Sequence, residues 1–505
     1  MHAPISPLLV AMALASVLVP ARAAAQASPY IPLDDPRLPL LEHLIARGDV
    51  EDPSPMVRPF RRVDAARVLA AADSGAGEWP SSIGLIQRLR EAFEDQPGNL
   101  WGLHGRVGAQ AYSHARRDVL HPAGPPGVRP YVDLRGAASF GNVVLVTRPV
   151  VEPRVVDDVD WPGRRDVEVA GRIADAYLSA QFKYARLLYG HMDWNWGPVG
   201  LPGIPLSNYG YERQGLAIDI GNRDIRLSAL ATDLHDQIDS LGQTVHRYYF
   251  VHRLQLRLSQ RLSVAPWEGV IIAGADRSFE TRYRNPLSIS YLANTIGLGD
   301  RGNVLLGADV SWRAFGRTRL EGQLALDDFW TDNRQRNRDR WAFTLAAHGP
   351  LFDSAAWRAL YTQVSSLALR AFNPEENFTD AGVGIGRNFS DQDQVTLRVS
   401  VPFRNRWLLS PELTVLRQGE GRINDPYPAP DASGVLATPA LFIGVVERTY
   451  RAALGISGRT GPLDLLADAG LHHVVNAGHQ EGQTKNRFEG RLQMTLGLGR
   501  RGVLR

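Results

Sequence analysis

From Leu100 to the C-terminus, apolar residues recur with a period of two. In the segment from Phe250 to Ser259, Phe250, Leu254, Leu256 and Leu258 alternate with Arg253, Gln255, Arg257 and Ser259. Leu320, Leu324 and Leu326 alternate with Arg319, Glu321, Gln323 and Asp327, and Val395, Leu397, Val399 and Val401 with Gln394, Thr396, Arg398 and Ser400. Phe488, Leu492, Met494 and Leu496 do the same against Glu489, Arg491, Gln493 and Thr495. Successive side chains on a strand point to opposite faces, so each segment predicts a strand with one apolar and one polar face. These runs of roughly 8 to 10 residues are close to the length of about 9 to 11 that crosses a bilayer on a tilt. Turn-rich stretches separate them, among them Ala123–Gly127, Asp332–Asn337, Asn373–Asp380 and Gly419–Ala440.

The first hundred residues follow a different period. Leu38, Leu41, Leu44 and Ile45 share one helical face, ended by Gly48. Asp64 is placed to N-cap a helix carrying Val68 and Leu69, and Ser81 or Ser82 precedes the stripe Ile83, Ile86, Leu89 and Phe93. Pro97-Gly98-Asn99 closes this small helical unit. Ahead of it, the apolar run Leu8–Val19, the breaker Pro20 and an alanine-rich stretch read as an export signal, although its start lacks Lys and Arg. The expected organisation is therefore a signal over 1–27, cleaved between about 23 and 27, a helical unit over 28–99, and a β region over 100–505.

Alternation alone also fits a soluble sandwich. Such domains run near 100 residues, whereas here roughly 400 residues of strand show no linker and no propeller-like repeat. A closed transmembrane barrel accommodates them better, because closure removes the sheet edges that lipid cannot satisfy. At roughly 22 residues per strand and connection the count is about 18, and bacterial barrels keep even counts. The 15 Tyr, 11 Trp and 16 Phe suffice for interfacial girdles. One departure is that the chain runs past Leu498 to Gly502-Val503-Leu504-Arg505, where many barrels end on an aromatic residue.

Composition excludes several classes. Cysteine is absent, which removes disulfides, thiol nucleophiles and zinc–thiolate sites. The net charge is +3, and the 56 basic residues are all arginine except Lys183 and Lys485, spread without a basic block, so no nucleic-acid partner is expected. Mean hydropathy is −0.20 and nothing beyond the signal approaches 18 apolar residues, which rules out a helical polytopic membrane protein.

Some motifs resemble a known family. Tyr30-Ile31-Pro32-Leu33-Asp34-Asp35-Pro36, with Leu41, Ala46-Arg47-Gly48 and Arg58-Pro59-Phe60-Arg61-Arg62, resembles the mature N-terminus of the capsule assembly family, Wzi. Gly190-His191-Met192-Asp193-Trp194-Asn195-Trp196-Gly197-Pro198 with Leu206-Ser207-Asn208, and Leu326-Asp327-Asp328-Phe329, are similar to segments of its barrel. The resemblance implies an 18-stranded outer-membrane barrel, a periplasmic helical bundle blocking its inner mouth, and a lectin-like role in holding capsular polysaccharide.

The candidate glycan-binding residues are Asp193, Trp194, Asn195, Trp196, Asn208, Tyr209, Tyr211, Arg213 and Asp327. The aromatic faces would stack on sugar rings near the outer rim, while the polar groups bond hydroxyls or acidic substituents. Trp and Tyr also form membrane girdles, and Asp193 with Arg213 could join an internal charge network. Catalysis has weaker support. Asp327 and Asp328 are adjacent on a strand and point to opposite faces, and Glu375-Glu376 has no assignable partner carboxylate. His191 with Asp193, and His472-His473, lack a third metal ligand. Gly382-x-Gly384-x-Gly386 reads as strand glycines rather than a nucleotide loop. No catalytic residue, cofactor or metal is expected. The expected partners are surface polysaccharide and outer-membrane lipid, for a single chain in the outer membrane; the alternative function is a porin or specific solute channel, against which the helical unit argues.

Overall fold

The computed structural model describes residues 27–74, 81–94, 99–279, 285–289, 302–328 and 339–503. Residues 1–26, within the expected export signal, Phe329, and Asp332–Asn337, expected to form a turn, lie outside them.

Among the described residues, eighteen antiparallel strands form one closed barrel. They are β1 (Leu100–Tyr112), β2 (Gly127–Phe140), β3 (Val143–Val151), β4 (Gly171–Gln181), β5 (Ala185–Met192) and β6 (Arg213–Gly221). There follow β7 (Ile225–Ile238), β8 (Thr244–Arg257), β9 (Leu262–Gly274), β10 (Gly302–Phe315), β11 (Thr318–Asp328) and β12 (Arg340–Leu351). The last are β13 (Ala355–Val364), β14 (Gln392–Phe403), β15 (Trp407–Gln418), β16 (Glu447–Thr460), β17 (Leu463–Val475) and β18 (Thr484–Val503). Each pairs with its sequence neighbours, and β18 closes on β1 from Leu100↔Val503 to Tyr112↔Arg491. The chain beyond Leu498 is thus the end of the closing strand.

The period of two sorts the wall as expected. Val395 and Leu397 are exposed on the outside of β14, while Thr396 between them is 3 % exposed inside. Leu324 and Leu326 face out from β11, and Glu321, Gln323 and Asp327 face in. On β18 Phe488, Leu492, Met494 and Leu496 face out against Glu489 and Thr495. An apolar outer face on a sheet without edges is the surface a lipid environment requires.

The two ends of the barrel differ. At one, hairpins close through short turns at 141–142, 182–184, 222–224, 258–261, 316–317, 352–354, 404–406 and 461–462. At the other lie long connections, including 113–126, 152–170, 193–212, 365–391 and 419–446.

Among the described residues three helices precede the barrel: α1 (Leu38–Arg47), α2 (Arg62–Ser74) and α3 (Ile83–Phe93). Pro39 opens α1, and Gly48 at φ +77° closes it, its N–H donating to the Ile45 carbonyl at 2.9 Å. Asp64 is not the N-cap of α2; it falls in the first turn, where the Arg61 guanidinium binds it at 2.8 Å. Ser82 does precede α3, but its hydroxyl donates to Asp49 rather than capping. Leu41, Leu44, Leu69, Leu85, Ile86, Leu89 and Phe93 bury together, with Leu408 of the wall in the same cluster.

This unit lies across the short-turn mouth and is tied to turns around its rim. Arg47 donates to the carbonyls of Asp353 at 2.8 Å and Ala355 at 2.9 Å. Glu51 pairs with Arg223 and Arg257, and Asp49 with Arg317. On the far side the Ser28 N–H donates to Gln181 at 3.0 Å and the Ala27 N–H to the Gly141 carbonyl at 3.3 Å.

Two long connections fold into the lumen, and one of them meets this unit. Segment 193–212 pairs with the N-terminal unit through Val57↔Trp196 and Arg58↔Asn195. Gln323 of β11 holds it from the wall, donating to the Trp196 carbonyl at 2.9 Å and accepting the Ile204 N–H at 2.8 Å. The Tyr249 hydroxyl adds a bond to the Pro205 carbonyl at 2.6 Å. Segment 365–391 is pinned by Asp327, which accepts the Leu369 N–H at 2.9 Å, and by Arg247, which donates to the Asn377 carbonyl at 2.8 Å.

Candidate functional site

Between the N-terminal segment, the in-folded connections and the wall lies a cavity of about 590 Å³. Its floor is the stretch from Tyr30 to Asp35, its roof includes 116–121, 200–202, 208–209 and 387–389, and its sides are inward residues of β1 to β4 and β14 to β18.

The side walls are a charge network built by strand register. Arg106 of β1 faces Asp133 of β2, and Arg148 of β3 faces Asp175 of β4. Arg148 contacts Asp133 at 2.8 Å and Asp175 at 3.4 Å, and Asp34 of the N-terminal segment docks on Arg148 and Arg106. Burial opposes ionisation of Asp34, but these two guanidiniums outweigh it and hold its carboxyl well below the usual carboxylate range. A second rung joins Glu152 to Arg154 at 2.7 Å and to Arg172 at 2.9 Å. A third, across β14 to β17, joins Arg398 and Arg451 to Glu412, and Arg451 to Asp468. Most charge here is therefore spent internally, as in other wide polar lumens.

Of the nine residues singled out in the sequence, Asp193, Asn208 and Tyr209 line this cavity. Asp193 follows β5 and has no ion-pair partner among the described residues. Burial pushes its carboxyl up to about 6, with Arg117 and Arg172 pulling the other way. The Tyr209 ring stands edge-on to Phe389 at 5.8 Å, and Phe389 stacks on His121 at 3.6 Å, giving the roof an aromatic patch.

The other six lie elsewhere. Trp194 and Trp196 sit neither at the outer rim nor in a lipid-facing girdle, because segment 193–212 turns into the lumen. Trp196 is 3 % exposed in the central apolar cluster, and Trp194 packs edge-on to Tyr30 at 5.8 Å. Both border a void of about 30 Å³, room for about two waters and not for a sugar ring. Asn195 is a local clamp, accepting the Gly203 N–H at 2.7 Å. Tyr211 donates to Asp158 at 2.7 Å beneath the Arg117 guanidinium, 4.1 Å above its ring. Arg213 does join a charge network, but its partner is Asp380 at 3.2 Å rather than Asp193. Asp327 is the anchor for Leu369 described above and also lies 3.6 Å from Arg340.

Cavity residues missed in the sequence include Asp34, His121, Arg387, Phe389 and Gln392. The available signal was the glycine series before Arg387. Thr379-Asp380 and Val383-Gly384 form a small hairpin separate from the barrel. A Cβ on Gly386 would lie 1.8 Å from the Ile204 carbonyl oxygen, so the two in-folded segments press backbone to backbone only because that position is glycine. Ser207 fastens the contact, its N–H donating to the Ile385 carbonyl at 3.0 Å and its hydroxyl to the Gly386 carbonyl at 2.6 Å.

The fold is similar to that of Wzi from Escherichia coli, an outer-membrane protein involved in group 1 capsule assembly and characterised as a carbohydrate-binding β-barrel. The TM-score is 0.62 at 13 % sequence identity, covering 94 % of this chain and 99 % of Wzi. OprD of Pseudomonas aeruginosa aligns with a TM-score of 0.44 at 11 % identity over 80 % of this chain and 97 % of its own. OccAB4 of Acinetobacter baumannii aligns with 0.45 at 9 % over 81 % and 99 %. No family model and no curated protein sequence matches the chain.

Proposed function

We propose that this chain is an outer-membrane barrel that binds surface polysaccharide and retains it at the cell surface without catalytic turnover. The observation that carries this reading is the 590 Å³ polar cavity held inside a barrel that other parts of the same chain cross from both ends. A cavity of that size lies within the range of about 300 to 1,000 Å³ typical of small-ligand sites. The apolar outer wall supports a membrane location, and likeness to a carbohydrate-binding barrel supports the ligand class. In this reading residues 1–27 are the export signal, 28–99 face the periplasm, and 100–505 span the outer membrane with the long connections outward. Asp193, Asn208 and Tyr209 contribute hydrogen-bonding groups and a ring face to the glycan.

A channel would use the same polar lumen, but the N-terminal unit and both in-folded connections stand across the conducting path. The test is co-precipitation of the purified, detergent-folded protein with polysaccharide extracted from its own cells. Retention is expected. Failure to retain any of it, together with steady open-pore currents in a bilayer, would replace this reading with the channel.

A further inference from the structure

Of the arginines lining the cavity, Arg116, Arg148, Arg154, Arg172, Arg398 and Arg451 each contact a carboxylate, whereas Arg117 and Arg491 donate to backbone carbonyls, those of Tyr209 at 3.3 Å and Arg117 at 2.9 Å. Arg387 does neither. It is 3 % exposed, its Nη2 donates to the Thr344 hydroxyl at 2.7 Å, and its Nε is buried without a hydrogen-bond partner. No carboxylate pairs with it among the described residues, yet it lines the cavity.

A buried guanidinium left without a counter-charge is costly, and removing its neighbours' carboxylates would be the ordinary way to create an anion site. The backbone here gives it little room to swing away. Gly384 and Gly386 are packed against other backbone, and the Asn388 side chain accepts the Gly384 N–H at 2.7 Å. Burial, with no neighbouring charge contributing, lowers the Arg387 pKa to about 9, so the group remains a cation at neutral pH. Gln392 lines the same cavity, and its Oε1 is a buried acceptor with no partner. The two unmet requirements are complementary to one kind of ligand: the fork of Arg387 donates to a carboxylate, and Gln392 accepts from a hydroxyl.

We propose that the cavity takes a carboxylate-bearing sugar unit, with Arg387 as the counter-charge of its carboxylate and Gln392 accepting one of its hydroxyls. The inference rests on the polysaccharide reading above and narrows its ligand to an acidic glycan.

The probe is the surface polysaccharide of the protein's own cells, native or with its carboxyls reduced to primary alcohols by carbodiimide and borohydride. Binding of both to the full-length protein is compared with binding to Arg387→Gln. The native form should bind the unmodified protein about tenfold or more tightly than the reduced form, since losing one partner of a buried charge pair is expensive. Arg387→Gln should erase that preference while binding the reduced form unchanged. Equal binding of the two forms, or an undiminished preference in Arg387→Gln, overturns the acidic-sugar site and leaves the polysaccharide reading standing. Retention of neither form overturns both. If Arg387→Gln loses heat-modifiability on gels, Arg387→Lys replaces it, because it keeps the charge but not the fork and should show an intermediate preference; an unchanged preference there has the same overturning force.

Discussion

Other parts of the chain cross the lumen of this barrel at the short-turn mouth and on the long-connection side, but by different means. At the short-turn mouth a helical unit brings its own apolar cluster, around Leu44, Ile86 and Phe93, and is tied to the rim by ion pairs such as Glu51 with Arg257. On the other side Trp196, Ile204, Leu206, Leu369, Phe378 and Ile385 of the in-folded segments share an apolar cluster with inward residues of the wall. Segments 193–212 and 365–391 are held by side chains of the wall bonding to their backbone, notably Gln323, Tyr249, Arg247 and Asp327. The first closure is a small domain seated on a rim, and the second is packed and hydrogen-bonded onto the inner face of the wall. Only the second carries roof residues of the cavity, which is why its geometry and that of the candidate site are the same problem.

The largest effect should come from removing the first closure. The intact protein is expected to pass no steady current in a planar bilayer, and deletion of 28–94 should produce one, provided the remaining barrel still shifts on heating. A deletion variant that folds and stays silent would show that the in-folded connections seal the lumen alone.

Trp196 joins the two closures, through its strand pairing with Val57 and its place in the central cluster. Truncating a buried tryptophan costs about 3 to 5 kcal/mol, so Trp196→Ala should lower unfolding stability by that order. Polysaccharide affinity of the folded fraction should be unchanged, since the indole does not reach the cavity. A selective loss of affinity with normal stability would return Trp196 to the binding surface.

Gly386→Val acts on the second closure alone. With a carbonyl oxygen 1.8 Å from the new Cβ, the contact between the two segments cannot persist. Overpacking of this kind costs about 1 to 3 kcal/mol. Polysaccharide retention should fall with it, because Arg387 to Phe389 ride on that turn, whereas protease resistance of 28–94 should not change.

These contrasts also explain what was legible in the sequence. The wall was, because its strands repeat a two-residue rule against lipid on one side and polar lumen on the other; three of the four alternating segments lie wholly in barrel strands, and the fourth does up to Arg257, with Leu258 and Ser259 in the turn after β8. The helical stripes were, because 3.6-residue periodicity marks α1 and α3 independently of context. The in-folded connections were not. Their positions are set by single contacts between residues far apart, such as Gln323 with Trp196 or Gly386 with Ile204, and such contacts leave no period. The dense Asp193–Trp196 stretch lies in an in-folded segment, where its tryptophans pack in and around the central cluster and Asp193 lines the cavity. Arg387 carried no signal of its own, since being unpaired is a property of its surroundings.

The smallest effects should come with pH, and they should have opposite signs at the two closures. Asp34 and Asp35 belong to the first, and their folded pKa values lie below the unfolded 3.8: burial opposes this, but Arg148 and Arg106 for Asp34, and Arg37 for Asp35, outweigh it. A carboxyl depressed in the folded state stabilises fully above its unfolded pKa and loses that contribution as pH falls toward the folded value. The helical unit should therefore resist protease equally at pH 7 and 5 and become more susceptible below about pH 4. Asp193, at the start of the second closure, is raised by burial to about 6 in the folded state against 3.8 unfolded. Ionisation there weakens the fold, so lowering pH from 7 through 6 should relieve a penalty rather than remove a bond. Hydrogen exchange in 193–212 should accordingly slow between pH 7 and 5 after correction for intrinsic rates, while exchange in α1 stays level, and Asp193→Asn should abolish the slowing. Uniform loosening of both regions over that range, or slowing that survives Asp193→Asn, would show that the two closures do not titrate separately.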